Sequence, residues 1–211
     1  MRVTRNAGGG NLFPAALLGY DMRVYVVDNG GQWTHREWRV LKYLGADTKI
    51  VPNDTRVSDL DGVDGLVLSG GAPRVGVDPG KMGRNGEYLD SLDAPILGIC
   101  AGHQFMAKHL GGDAAPAKVP EFGKSVVEIH QPDVLFEGLP NRFEVWESHN
   151  DEVTQLPKDF VALASSENCN IQAMRHRDRP LFGLQFHPEV EHTQFGADIF
   201  RNFLRLCENS K

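Results

Sequence analysis

The spacing of apolar and polar residues changes repeatedly between two periods in the first half of the chain. Short, almost continuous apolar runs, typical of buried strands, occur at 24–27, 48–51, 65–68 and 95–99. Between them, apolar side chains recur near every third or fourth position, which predicts helices over 32–44 and 87–92. Strands and helices in this order predict an α/β fold. Its mostly parallel central sheet has helices on both faces and binds ligands at the carboxyl ends of its strands.

Shorter strand patterns separated by turns dominate the second half. They fall at 126–129, 143–146, 160–164, 171–175 and 181–186. Such closely spaced strands predict antiparallel pairing, which we expect to extend the same sheet. Thr193 is predicted to cap a closing amphipathic helix. The apolar face of that helix contains Phe195, Ile199, Phe203 and Cys207.

Residues 1–21 differ from the rest of the chain. They contain three consecutive glycines, Gly8 to Gly10, and an apolar run that is too short for a membrane span or a signal peptide. A strand pattern begins directly after Met22. We therefore expect 1–21 to be an upstream extension or a start-site artefact that is mobile and dispensable, and 22–211 to form a single domain.

Composition and charge argue against a protein that binds nucleic acid. The chain has 211 residues and a formal net charge of −6. Because phosphate neutralisation needs clustered Lys and Arg, nucleic acid is not expected as a ligand. The basic segment 175–179 is interpreted as a solvated turn; the alternative is a contact to another protein chain. Three cysteines without paired spacing indicate a reducing compartment rather than a disulfide framework.

A cysteine stands between two glycines where the strand pattern at 95–99 ends. The segment reads Gly98-Ile99-Cys100-Ala101-Gly102-His103-Gln104. Glycines at these positions let the backbone turn sharply from a strand into a helix, which presents the side chain between them at the sheet edge. The helix N-terminus would lower the thiol pKa from about 8.5 toward the range of about 3.5–7.5 found in reactive cysteines. Cys100 is thus predicted to be a nucleophile, with a small buried side chain as the alternative.

A histidine and a carboxylate follow the strand pattern at 181–186. In an extended segment, a spacing of two puts His187 and Glu189 on one face, and Pro188 disfavours a helical conformation for His187. A cysteine, a histidine and an acid can form a triad in which the histidine activates the nucleophile and the acid orients the imidazole. On spacing alone, His187, Glu189 and His192 also fit a metal site. We predict no metal, because the cysteine turn and Pro188 already explain this segment.

These two segments, Gly-Ile-Cys-Ala-Gly-His-Gln and Gln-Phe-His-Pro-Glu, resemble the signature motifs of class I (triad-type) glutamine amidotransferases. The likeness extends from about Met22 to the C-terminal helix. It implies a flavodoxin-like α/β domain in which Cys100, His187 and Glu189 hydrolyse the side-chain amide of L-glutamine. A catalytically silent binding module with the same fold is the alternative from a different functional class.

The segment Leu68-Ser69-Gly70-Gly71 resembles the oxyanion turn of this family. The resemblance implies that the backbone N–H groups of Gly71 and Ala101 hold the oxyanion. The family usually has Ser-Gly-Gly-Pro, whereas Ala72 stands before Pro73 here, so Gly70 is the alternative donor.

The segment Trp146-Glu147-Ser148-His149-Asn150-Asp151 resembles the part of the family that holds the glutamine substrate. The resemblance implies that Ser148 and His149 contact glutamine. It also implies that Gln104, one helical turn after Cys100, binds the same substrate.

The residues that follow the triad acid narrow the resemblance. His187-Pro188-Glu189-Val190-Glu191-His192-Thr193 is similar to the amidotransferase part of GMP synthetases. This implies a cytoplasmic subunit that passes ammonia to a separate synthetase subunit, which converts XMP to GMP. Since the chain contains no Gly-rich phosphate loop, ATP and Mg²⁺ are expected in the partner and no cofactor in this chain. The amidotransferase subunit of another synthase, such as anthranilate synthase, is the alternative within the family.

Overall fold

The computed structural model describes residues 22–210, so the predicted extension at 1–21 lies outside the described residues. The strands are β1 Val24–Asn29, β2 Ile50–Pro52, β3 Gly65–Gly71, β4 Ile96–Ile99, β5 Asp113–Ile129, β6 Arg142–Gln155, β7 Phe160–Ser165, β8 Ala173–His176 and β9 Leu181–Leu184. The helices are α1 Thr34–Tyr43, α2 Asn85–Ser91, α3 Ala101–His109 and α4 Gly196–Asn209. All nine strands belong to one sheet in the order β2-β1-β3-β4-β9-β8-β7-β5-β6.

Five neighbouring strands, β2-β1-β3-β4-β9, are parallel, and we call them the parallel half. Side chains of β1 alternate between the two faces: Val24 and Val26 join one apolar cluster and Val27 joins the other. Helices α1 and α4 pack against each other, as do α2 and α3. The core therefore occupies both faces of the sheet, which confirms the predicted α/β architecture.

The carboxyl ends of β3, β4 and β9 lie side by side, because these strands are parallel neighbours. Strand β3 ends at Gly71, and β4 ends directly before Cys100. Strand β9 ends at Leu184, three residues before His187. Segments from three distant parts of the sequence thus meet at one edge of the sheet, as expected for the ligand-binding edge of this fold class.

The remaining strands, β8-β7-β5-β6, pair antiparallel and extend the sheet beyond β9; we call them the antiparallel half. Strands β5 and β6 are much longer than the runs predicted at 126–129 and 143–146. They pair along most of their length, with an irregularity between Pro116 and Glu121. The prediction found only their apolar ends, because prolines and exposed polar residues interrupt the apolar pattern of β5.

The closing helix α4 begins at Gly196, with Phe195 at its N-cap position and a backbone φ of 60° there. Thr193 does not cap this helix, so that prediction is wrong. Its hydroxyl instead donates to the His187 carbonyl oxygen and accepts from the Trp146 N–H. No helix within residues 22–210 combines the length and the apolar character needed to cross a bilayer.

Candidate active site

Cys100 occupies a sharp turn between β4 and α3. Its backbone φ is 50° and its ψ is −105°, a region that residues with side chains rarely adopt. A Cβ added at Gly98 would lie 2.7 Å from the carbonyl carbon of Gly102, and one added at Gly102 would overlap the Leu68 carbonyl oxygen. Both glycines are therefore needed for the close approach of strand and helix that forms this turn.

The sulfur of Cys100 lies at the N-terminus of α3, where Cys100 holds the N-cap position. The first N–H groups of a helix have no partner within it and carry the positive end of its dipole. A helix N-terminus favours negative charge, both on a sulfur at this place and on an oxyanion that forms beside it during a reaction. The Gln185 side-chain nitrogen lies 3.7 Å from Sγ, and the Ser148 carbonyl oxygen lies 3.9 Å from it.

His187 and Glu189 are buried in the turn that follows β9, with 2.7 Å between His187 Nδ1 and Glu189 Oε1. Burial by itself would lower the pKa of His187. The charges of Glu189 and Cys100, and hydrogen bonds to both, outweigh burial and hold this pKa well above its usual value. The geometry supports an imidazolium between a carboxylate and a thiolate.

The predicted strand over 181–186 ends earlier, at Leu184, so His187 and Glu189 lie in a turn rather than in an extended strand. The two side chains nevertheless pair. His192 does not join this pair. Its ring packs against Trp146, with 4.9 Å between the ring centroids. In the described part of the chain, His187, Glu189 and His192 do not converge as metal ligands.

A cavity of about 240 Å³ opens beside Cys100. Five parts of the chain form its wall: the predicted triad residues, the segment 30–33 between β1 and α1, the first part of α1, the glycines at the end of β3 with Ala72, and one residue of β6. The lining residues are Gly30, Gly31, Gln32, Trp33, Thr34, Glu37, Gly70, Gly71, Ala72, Cys100, Ser148, His187 and Glu189. The predicted nucleophile, its predicted base and both candidate oxyanion glycines therefore share one cavity.

Gly70 and Gly71 differ in their surroundings. A Cβ added at Gly70 would lie 3.2 Å from His187 Cε1 and 3.6 Å from the Cys100 Cβ. The Gly70 N–H donates to Glu37 Oε1 across 3.4 Å, whereas the Gly70 carbonyl oxygen accepts from Ser69 Oγ at 2.8 Å. Because the Gly70 N–H already has a partner, we retain Gly71 as the predicted oxyanion donor.

Among the three residues predicted to bind glutamine, Ser148 lines the cavity. Gln104 and His149 are buried outside its wall. The Gln104 amide donates to the Asp151 carbonyl oxygen at 2.6 Å and to Gln185 Oε1 at 3.1 Å. His149 Nδ1 lies 3.1 Å from the same carbonyl oxygen. Glutamine contact by Gln104 and His149 therefore stays a prediction. The Gln104 amide links α3 to β6, whereas His149 contacts residues of β6 and β5.

A buried polar cluster, formed by Glu121, Glu147 and His149, lies between β5 and β6. His149 Nε2 is 3.1 Å from Glu121 Oε2 and 3.5 Å from Glu147 Oε2. Burial raises the pKa of Glu121, but hydrogen bonds from His149 and Ser166, among others, outweigh it, and the pKa is lowered. Burial, reinforced by the charge of Glu121, holds the pKa of Glu147 well above its usual value. The cluster therefore contains a hydrogen-bonded carboxylate beside a neutral carboxyl group.

The residues of the cavity wall before β2 were not predicted as site residues from the sequence, and two of them, Trp33 and Glu37, lie close to the other site residues. The Trp33 ring meets the His187 ring edge-on, with 4.4 Å between centroids. Glu37 is 1% exposed, and burial, reinforced by the charge of Glu189, holds its pKa well above the usual range. A signal for Glu37 exists: with Thr34 and Leu41 it forms the buried side of α1, where a helix facing the core normally has apolar residues.

Comparisons with known proteins show the family of this chain. The family model of class I glutamine amidotransferases matches residues 25–207. A curated glutamine-hydrolyzing GMP synthase subunit of Thermoplasma acidophilum is 58% identical over 186 residues, which cover 88% of this chain and 93% of that protein. The protein of the same name from Pyrococcus abyssi is 45% identical and covers 87% of this chain and 98% of its own length.

Solved structures show the same fold. A crystal structure of a Thermoplasma acidophilum protein described as a GMP synthase subunit superposes with a TM-score of 0.86 at 56% identity, covering 90% of this chain and 96% of the other. A glutamine amidotransferase from Thermotoga maritima superposes with a TM-score of 0.71 at 20% identity, covering 90% and 84%. The second likeness concerns the fold alone.

Proposed function

The chain belongs to the class I glutamine amidotransferases, and we propose that it hydrolyses L-glutamine and delivers the ammonia to a separate synthetase subunit that converts XMP to GMP. The observation that carries this proposal is the cavity that combines Cys100, His187 and Glu189. The relatives named as glutamine-hydrolyzing GMP synthase subunits match this chain over nearly their whole length, which supports the choice of pathway over anthranilate synthesis.

The reaction begins with attack of the Cys100 thiolate on the carboxamide carbon of glutamine. A C–S bond forms, and the carbonyl electron pair moves to oxygen, which the backbone N–H groups of Gly71 and Ala101 hold. His187 then gives its proton to the amide nitrogen, the C–N bond breaks, and ammonia leaves. A glutamyl thioester on Cys100 remains.

The second half of the reaction uses the same groups, but His187 now acts as a base instead of an acid. Neutral His187 removes a proton from water, which attacks the thioester, and the C–S bond breaks to release glutamate. The 2.7 Å contact from His187 Nδ1 to Glu189 keeps the ring oriented and stabilises its charged form in both halves. The raised pKa of His187 fits this role, because the resting pair needs a protonated imidazole beside a thiolate.

Substrate recognition falls to the side of the cavity formed by β6, where Ser148 lies, with Gln104 and His149 behind it. We propose that residues 22–211 act as one cytoplasmic amidotransferase domain without a cofactor of its own, and that 1–21 are dispensable. ATP and Mg²⁺ are then used by the partner. Ammonia must reach that partner before water protonates it, so the two proteins act as a heteromer.

The test is glutamate release from glutamine by the wild type and by Cys100→Ala, with and without an XMP-aminating subunit, ATP and XMP. We expect Cys100-dependent release that rises with the partner and yields GMP. Cys100-dependent release that is indifferent to this partner would reassign the pathway. Absence of release, together with no covalent adduct at Cys100 from a glutamine-analogue electrophile, would support the silent binding module.

A further inference from the structure

Gly70 joins two peptide planes, and a different neighbour holds each of them. The plane before Gly70 includes its N–H, which donates to Glu37 Oε1. The plane after it includes its carbonyl oxygen, which accepts from Ser69 Oγ. Gly31 packs against this second plane, since a Cβ added there would overlap the Gly70 carbonyl oxygen. The first plane has a second contact, because the Asn29 side-chain amide donates to the Ser69 carbonyl oxygen at 3.0 Å, and Gly71 itself pairs with Asn29 and Gly30. Glycine rotates more freely than any other residue, so each of these contacts restricts the conformation of Gly70.

The direction of the Gly71 N–H follows from this arrangement. In a planar trans peptide, the carbonyl of Gly70 and the N–H of Gly71 point to opposite sides. Once the Gly70 carbonyl points toward Ser69 Oγ and Gly31, the Gly71 N–H must point away from them. Rotation about Gly70 would change this direction, and an oxyanion donor needs its direction fixed before the charge develops.

We propose that Glu37 is a positioning residue for glutamine hydrolysis: by holding the Gly70 N–H, it acts together with Asn29 to fix the end of β3, which aims the Gly71 N–H at the oxyanion. This inference rests on the proposed function. It assigns to Glu37 no contact with the reacting atoms, and its effect passes entirely through the glycine turn at the end of β3.

The surroundings of Glu37 favour a neutral carboxyl group. Its side chain is buried and forms no ion pair with Lys or Arg within residues 22–210, and Oε2 lacks a hydrogen-bond partner there. The ionisable groups that act on it are Glu189 and His187 after β9 and Cys100 before α3. Burial and the charges of Glu189 and Cys100 raise the pKa of Glu37, and they outweigh the charge of His187 and the hydrogen bond from Gly70, which lower it. A neutral carboxyl group still accepts from the Gly70 N–H through its carbonyl oxygen.

A purely structural role makes different predictions. If Glu37 only completed the packing between α1 and the sheet, its replacement would lower stability and leave kcat of the folded protein unchanged. If it positions the oxyanion donor, replacement lowers kcat with little change in KM, because the oxyanion exists only in the transition state.

The experiment compares Glu37→Gln and Glu37→Leu with the wild type. Glu208→Leu, at an exposed position of α4, is the matched control. Glutamate release is measured from pH 6 to 10 with the synthetase partner, ATP and XMP present, and Cys100 alkylation by iodoacetamide is timed in parallel. Alkylation needs the thiolate but no oxyanion hole. Thermal unfolding shows which variants are folded.

Glu37→Leu is expected to lose roughly 10- to 100-fold in kcat, less than the roughly 10²–10³ that follows removal of an oxyanion donor, with KM and the alkylation rate unchanged. Glu37→Gln keeps the acceptor for the Gly70 N–H and should turn over within about threefold of the wild type at pH 7. Rescue by Glu37→Gln is the result that a packing role does not give, because the apolar Leu fills a buried site at least as well as Gln does.

Three results would overturn the inference while leaving the proposed function intact. They are a folded Glu37→Leu variant with wild-type kcat, a Glu37→Leu variant whose alkylation slows in step with kcat, and a folded Glu37→Gln variant that loses 10-fold or more in kcat. The last holds even if Glu37→Leu does not fold. Absence of Cys100-dependent turnover in the wild type would instead overturn the proposed function.

Discussion

The two halves of the sheet use buried polar side chains in opposite ways. In the parallel half, Cys100 and His187 line a cavity, so a substrate can reach them. In the antiparallel half, Glu121 accepts hydrogen bonds from Ser125, Ser166 and Gln172, and it pairs with His149. Glu121 also lines a cavity, the one beside β5, but protein donors occupy its carboxylate oxygens. A carboxylate with this many protein partners supports the fold, whereas the side chains beside Cys100 are available for chemistry. Charge and burial alone therefore do not distinguish a catalytic side chain from a structural one.

His187→Asn should give the largest effect and tests the parallel half. Without the base, kcat for glutamate release is expected to fall by roughly 10⁴-fold or more, as for removal of one triad member. The side chain lies at a cavity wall, so the melting temperature should change by only a few degrees. A steady-state assay and a thermal melt check both parts, and a loss of tenfold or less would contradict the triad role.

Glu121→Ala tests the antiparallel half and should show the reverse behaviour. It leaves His149 and several buried donors without their partner, which is expected to cost about 3–5 kcal/mol of stability. At a temperature where the variant is folded, kcat should remain within a few-fold of the wild type. Denaturant unfolding measures the loss, with Glu128→Ala on the exposed side of β5 as the control. A stable variant with lost activity would place this cluster in the chemistry.

Glu147→Gln tests the buried cluster further. Among the described residues, the carboxylate oxygens of Glu147 have no hydrogen-bond partner, and the nearest cationic group is His149 Nε2, at 3.5 Å from Oε2. Its pKa is raised in the folded protein, so the folded state keeps a proton that the unfolded chain releases at a lower pH. Wild-type stability from this group is therefore lost as the pH rises above the ordinary glutamate value. The variant should gain stability relative to the wild type at pH 8 more than at pH 5, and a pH-independent difference in melting temperature would contradict this.

Arg74→Ala should give the smallest effect, although it removes a link between the two halves. Arg74 follows β3 and pairs at 2.5 Å with Asp151 on β6, but its own side chain is 54% exposed. Solvent weakens the pair on the Arg74 side, but the Asp151 side chain is only 4% exposed and loses its partner, so we expect the melting temperature to fall by a few degrees. A larger fall would show that the halves depend on this contact for their docking.

The triad could be predicted from the sequence because its determinants are local. The glycines around Cys100 lie within five residues of one another, and His187 and Glu189 lie two residues apart. Each pattern therefore specifies a turn and a side-chain direction without knowledge of the rest of the fold. The parallel sheet was predictable for the same reason, since each strand and helix has its own period.

The supporting contacts could not be predicted because their partners are distant in sequence. Glu37 and Gly70 are separated by 33 positions, and Glu121 and His149 by 28. Nothing near Glu121 in the sequence shows that it faces inward, since β5 alternates exposed and buried residues around two prolines. The cap assigned to Thr193 is wrong for a related reason: its hydroxyl bonds to Trp146, 47 positions away.

The positive φ of Cys100 has a consequence for how this protein tolerates change. A residue with a side chain in such a conformation is strained by about 1–3 kcal/mol, and glycine would remove most of that strain. Position 100 is therefore a place where the most stabilising replacement also abolishes the nucleophile. Under selection for thermal stability alone, variants without the thiol would be favoured, so stability and activity oppose each other at this single residue.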